Sequence, residues 1–85
     1  MTELSFKNSK ILIVGGAGFV GSNLAHKLMS ENPRKIIIID NLLSSDISNV
    51  PQDKDVEFIY GSITNEKILR SIPDDLDYAL SLIHI

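Results

Sequence analysis

Two short runs constrain this chain more than anything else in it. Lys10–Val14 (KILIV) and Lys35–Asp40 (KIIIID) are continuous apolar stretches with none of the polar alternation of a half-exposed strand. Strands of that kind must be covered on both faces, as in a parallel sheet sandwiched between helices. Between them, Phe19–Ser30 carries Val20, Leu24 and Leu28 at i, i+4 and i+8, with Ala25 and Met29 beside them. That spacing predicts a helical stripe about three turns long, halted by Asn32-Pro33.

The rest of the chain repeats the alternation. Asn41–Lys54 is polar, with Ser44, Ser45, Asp46, Ser48, Asn49 and Pro51, and reads as a loop with at most one helical turn. Val56–Tyr60 (VEFIY) is a third strand closed by Gly61. Thr64 is placed to cap a short helix over Asn65–Ser71, Pro73-Asp74-Asp75 is a turn, and Tyr78–Ile85 is a fourth strand. Strands separated by helices imply right-handed crossovers and a parallel sheet. The expected fold class is therefore α/β: the N-terminal portion of a Rossmann-type doubly wound sheet (β-α-β-α-β-α-β), in spatial order 3-2-1-4. All of residues 1–85 belong to that one unit. Its apolar last strand would lie at an open edge, so the sheet is expected to be incomplete.

Composition narrows the function. Thirty of the 85 residues are Ile, Leu, Val or Phe, well above the roughly 20% below which chains stay disordered. There is no cysteine, hence neither a disulfide framework nor a thiolate zinc site. A net charge of −3 argues against a nucleic-acid partner, which calls for a basic face. The longest apolar runs have four residues, against about 20 for a membrane span. No leader pattern precedes Lys10. A soluble, cytoplasmic protein without a membrane partner is expected.

The chemistry is concentrated in Val14-Gly15-Gly16-Ala17-Gly18-Phe19-Val20-Gly21, which follows a predicted strand and opens a predicted helix. A phosphate-binding fingerprint requires that context. Glycine at the strand end permits a tight turn. Gly18 lets backbone amides approach a pyrophosphate with no Cβ in the way, and Gly21 lets the helix pack close to the sheet. The helix N-terminus then offers free N–H groups to the anion. Two spacings coexist, Gly16-x-Gly18-x-x-Gly21 and Gly15-x-x-Gly18-x-x-Gly21. Asp40 ends the second strand 19 residues after Gly21, close to the roughly 20 expected of an acid that binds the adenosine ribose. The competing reading is an ordinary strand–helix turn with Asp40 capping a loop. Asn41–Ser48 contains no Lys or Arg, and Asp40 would repel a ribose 2′-phosphate, so the expected cofactor is NAD rather than NADP. No Gly-Lys-Ser/Thr occurs, which excludes a Walker-type loop.

GGAGFVGSNLAHKLM, followed by IIIIDNLLSS and YGSITNEKIL, resembles the N-terminal part of the extended short-chain dehydrogenases/reductases. Within them it is most similar to the NAD-dependent nucleotide-sugar epimerases and dehydratases, the UDP-glucose 4-epimerase-like group. The resemblance covers residues 8–82. It implies that the backbone of Gly18, Phe19 and Val20 contacts the pyrophosphate, within a cofactor-binding loop that runs from Gly15 to Gly21. Asp40 would hold the adenosine ribose, with Asn41, Ser44 and Ser45 alongside. Ser62 and Ile63 would border the adenine. A nucleotide-sugar substrate is expected only in a full-length enzyme.

The chain also departs from the family's pattern. Gly61-Ser62-Ile63 stands where the family usually has Gly-Asp-Ile/Leu. A neutral Ser62 would anchor the adenine amino group less firmly than a carboxylate. In the fourth strand, where the family commonly reads Asp-x-Val-Phe-His-Leu-Ala, alignment on Asp77 and alignment on His84 both stay open. The family's chemistry uses Tyr-x-x-x-Lys, yet Tyr60 is followed at i+4 by Thr64 and Tyr78 by Leu82. Both tyrosines read as strand packing residues, His26 as a solvent-facing helix residue and His84 as an incidental strand residue. Asp74-Asp75-x-Asp77 reads as a solvated turn. No catalytic residue and no metal ligand set is assigned. The expected function is the NAD-binding part of a nucleotide-sugar epimerase/dehydratase-like enzyme. The alternatives are a non-catalytic NAD-binding module and a vestigial truncated product.

Overall fold

A computed structural model describes residues 6–15, 17–42 and 46–81. Four parallel strands make one sheet: β1 (Lys10–Val14), β2 (Lys35–Asp40), β3 (Val56–Tyr60) and β4 (Tyr78–Ser81). The helix α1 (Phe19–Met29) joins β1 to β2, and α2 (Glu66–Ser71) joins β3 to β4. A 3₁₀ turn, Ile47–Asn49, lies in the loop between β2 and β3. The strand order is β3-β2-β1-β4, the 3-2-1-4 order expected from the sequence. Residues 82–85, the rest of the predicted fourth strand and His84 among them, lie outside the described residues.

The two isoleucine-rich runs form the middle of the sheet and divide its core into two layers. Side chains alternate across a strand, so Ile11, Ile13, Ile36 and Ile38 meet Ala25 and Leu28 of α1 on one face. Leu12, Val14, Ile37 and Ile39 line the other face, where Ile68 of α2 packs with Ile59, Ile63 and Ile72. Helices thus cover both faces, which is why 11–14 and 36–39 carry no polar residue. Six isoleucines of β1 and β2 are essentially inaccessible.

Three local expectations need correction. Val20 is 65% exposed and is no part of the buried stripe. The buried face of α1 runs through Gly21, Ser22, Ala25 and Leu28, because small side chains let the helix come close to the sheet. Leu24 and Met29 flank it, partly buried. Thr64 does not cap α2: the Asn65 side chain accepts from the N–H groups of Lys67 and Ile68 and is the N-cap. Tyr60 is 67% exposed, since it ends an edge strand, whereas Tyr78 packs against the Phe6 ring at 4.8 Å. Among the described residues no helix is long and apolar enough to cross a membrane.

Candidate functional site

The sheet's winding direction reverses at β1, because β2 and β3 lie to one side of it and β4 to the other. Ligands of such sheets bind beyond the carboxyl ends of the strands at that switch point. Gly15 is the first residue past β1. Its φ of 83° lies in the left-handed region that side chains resist, and its N–H donates to the carbonyl of Ile39 at 2.7 Å. The turn is thereby fixed to the end of β2.

Gly18 occupies the N-cap position of α1, with φ −77° and ψ 175°. No side chain caps this helix, and its first turn contains no acid. The first intrahelical bond runs from the N–H of Ser22 to the carbonyl of Gly18 at 2.8 Å. The N–H groups of Phe19, Val20 and Gly21 precede it and have no acceptor within the helix. The backbone at Gly18 is ordinary, and among the described residues a Cβ there would meet no atom nearer than the Gly15 carbonyl oxygen, at 3.7 Å. The space at Gly18 lies beside uncapped N–H donors, an arrangement that favours an anion. Gly16, Ser44 and Ser45 lie outside the described residues.

Asp40 is at the end of β2, in the same row as Ile36 and Ile38 on the α1 face. Its Oδ2 accepts from the N–H of Ala17 at 3.1 Å and its Oδ1 from that of Leu42 at 2.8 Å. A carboxylate has about four acceptor positions, and two of Asp40's are taken by these backbone N–H groups. These two bonds fix the carboxylate's direction against the glycine turn. Asn41 is exposed beside it. One contact was not signalled by the sequence: the Asn49 side-chain amide donates to the carbonyl of Ala17 at 3.0 Å. No motif marks it, because the two residues are 32 apart in the chain.

Ser62 and Ile63 follow β3, which borders β2 on the same side of the switch point. The Ser62 hydroxyl shares a 2.8 Å hydrogen bond with that of Thr64 and accepts from the Thr64 N–H at 3.2 Å, which explains why Thr64 is not the cap. Ile63 packs on the α2 face of the sheet. Asp74 and Asp77 belong to the opposite end, where Asp75 pairs with Lys10 at 2.8 Å. Among the described residues no group of His, Asp or Glu side chains is arranged to hold a metal ion.

The sequence profile of the NAD dependent epimerase/dehydratase family matches residues 11–84, and the chain belongs to that family. It is 37% identical over 68 residues to a UDP-glucose 4-epimerase of Neisseria meningitidis, a match covering 74% of this chain and 20% of that enzyme. The fold is similar to that of the Bordetella bronchiseptica enzyme WbmF, solved in complex with NAD+, with a TM-score of 0.87 and 42% identity over 91% of this chain and 23% of that one. The epimerase Mth375 of Methanothermobacter thermautotrophicus gives a TM-score of 0.85 at 36% identity, over 94% of this chain and 24% of that one. The chain thus spans between 20% and 24% of the length of these relatives.

Proposed function

We propose that residues 10–81 are the dinucleotide-binding part of an NAD-dependent nucleotide-sugar epimerase/dehydratase, holding the adenosine and pyrophosphate of NAD. One observation carries this reading: the uncapped N-terminus of α1, with free space at Gly18, lies beside a carboxylate that is already bonded to the same turn. Phosphate oxygens would accept from the backbone N–H groups at the start of α1, where the helix dipole adds favourable potential. Asp40 would accept from the adenosine ribose hydroxyls, its carboxylate standing beside the glycine turn. Asn41, Ser44 and Ser45 would flank the ribose, and Ser62 and Ile63 the adenine.

NAD, when bound, supplies the hydride acceptor for oxidation of a sugar hydroxyl. The chain's own contribution is to bind and orient. Its two tyrosines lack a lysine at i+4, so the proton acceptor and the sugar pocket of the whole enzyme are assigned to other residues. Isothermal titration calorimetry tests the reading. Saturable single-site binding of NAD, with NADP weaker, is expected, because a 2′-phosphate would face Asp40 with no Lys or Arg between residues 41 and 48. Absence of saturable binding overturns the reading, and equal or tighter NADP binding overturns its account of Asp40.

A further inference from the structure

Ala17 is 0% exposed and stands between the turn at Gly15 and the N-cap at Gly18. Both of its backbone polar groups are held by side chains from elsewhere in the chain. Its N–H donates to Asp40 at 3.1 Å, and its carbonyl accepts from the Asn49 side-chain amide at 3.0 Å. A buried carbonyl ahead of a helix has no partner in the helix itself, so the Asn49 amide is what fixes the orientation of the peptide that leads into Gly18. The 3₁₀ turn holds Asn49 in place in its turn. Asp46 Oδ1 accepts from the Ser48 N–H at 2.9 Å, the Asp46 carbonyl from the Asn49 N–H at 3.0 Å, and Val50 packs against the α1-side core.

From this geometry we infer that Asn49 is a positioning residue for the pyrophosphate cradle, setting the direction of the N–H groups at the start of α1 through Ala17. The inference rests on the binding reading above. It adds that the loop after β2 does more than border the ribose: it pre-organises the phosphate donors. Pre-organisation contributes to affinity by removing the cost of ordering the site when the ligand arrives.

The test compares the unaltered 85-residue chain with N49A and N49D, by calorimetry with NAD and by ligand-observed NMR with adenosine. N49A should weaken NAD about tenfold, the affinity equivalent of one hydrogen bond. N49D should weaken it further, because a carboxylate of nearly the same shape cannot donate to the Ala17 carbonyl. Adenosine affinity should change less than about twofold in both, since adenosine does not reach the loop amides. In the unaltered protein, the side-chain amide protons of Asn49 should shift on saturation with NAD and be slow to exchange, a readout that does not depend on either variant folding. Variants that bind NAD like the unaltered chain, N49D milder than N49A, equal losses for NAD and adenosine, or Asn49 amide protons unmoved by NAD would each overturn the inference. If the unaltered chain fails to bind NAD, the binding reading itself falls and this one with it.

Discussion

Replacing Asp40 by asparagine keeps the side chain's shape and removes one of its two acceptors. In the native arrangement Oδ1 and Oδ2 each accept from a backbone N–H, those of Leu42 and Ala17. An asparagine must present its NH₂ group to one of them. If it faces Ala17, the N–H of a residue with no solvent exposure is left without a partner, which costs about 1–3 kcal/mol. If it faces Leu42, the bond that holds that residue at φ 60° is lost, and the remaining bond is no longer charge-assisted. Either way a loss of about 1–3 kcal/mol is expected. A chain of this length has about 4–13 kcal/mol in total, and each kcal/mol corresponds to about 4–8 °C in Tm. Thermal and urea unfolding of D40N without nucleotide, followed by far-UV circular dichroism, should therefore show a Tm lowered by at least about 4 °C. NAD affinity should fall by about tenfold or more, because a neutral acceptor replaces a charged one at the ribose. An unfolding curve that coincides with that of the unaltered chain would refute the claim that this carboxylate ties β2 to the glycine turn.

Three further substitutions or titrations follow from the same geometry. G18A should fold as stably as the unaltered chain, since its Cβ finds 3.7 Å of clearance, yet lose NAD affinity by about tenfold or more if that space belongs to the pyrophosphate; calorimetry beside a melting curve separates the two effects. G61A should destabilise by about 1–3 kcal/mol, because φ is 155° and the new Cβ would lie 2.6 Å from Cδ1 of Ile68, and urea unfolding measures it. The hydrogen bond from Lys10 holds the carboxyl of Asp75 below its ordinary 3.8. The stability it contributes should be fully present above that value and lost as falling pH protonates Asp75, so a carboxyl-detected NMR titration should place its midpoint below 3.8.

The parts of this fold that are legible in the sequence are those written in side-chain periodicity. KILIV and KIIIID announce buried parallel strands because between their ends neither face tolerates a polar residue, and the strand order follows from their connections. The buried side of α1 was less legible. Hydrophobicity points to Val20, Leu24 and Leu28, and the last two do pack on the core with Ala25, whereas Val20 is exposed and the first turn is buried through the small Gly21 and Ser22 instead. At α2 the sequence points one residue early for the cap, to Thr64, whose hydroxyl is engaged by Ser62, while Asn65 caps the helix. Tyr60 looks like a core residue by type, but it stands at the end of an edge strand. In the candidate region, spacing alone places Gly15 and Gly18 at the turn into α1 and Asp40 at the end of β2, where the structure has them. Asn49 was not legible in this way, because its role depends on a loop folding back over 32 residues to a backbone carbonyl.

The central claim is that the start of α1 and the end of β2 together hold a dinucleotide. A ¹H–¹⁵N correlation titration of the chain with NAD addresses it most directly. Saturable shifts are expected, largest at the amides of Gly18, Phe19, Val20, Gly21 and Leu42, and small at the opposite end of the sheet around Lys10 and Asp75. Shifts that fail to saturate, or that centre away from the glycine turn, would contradict it.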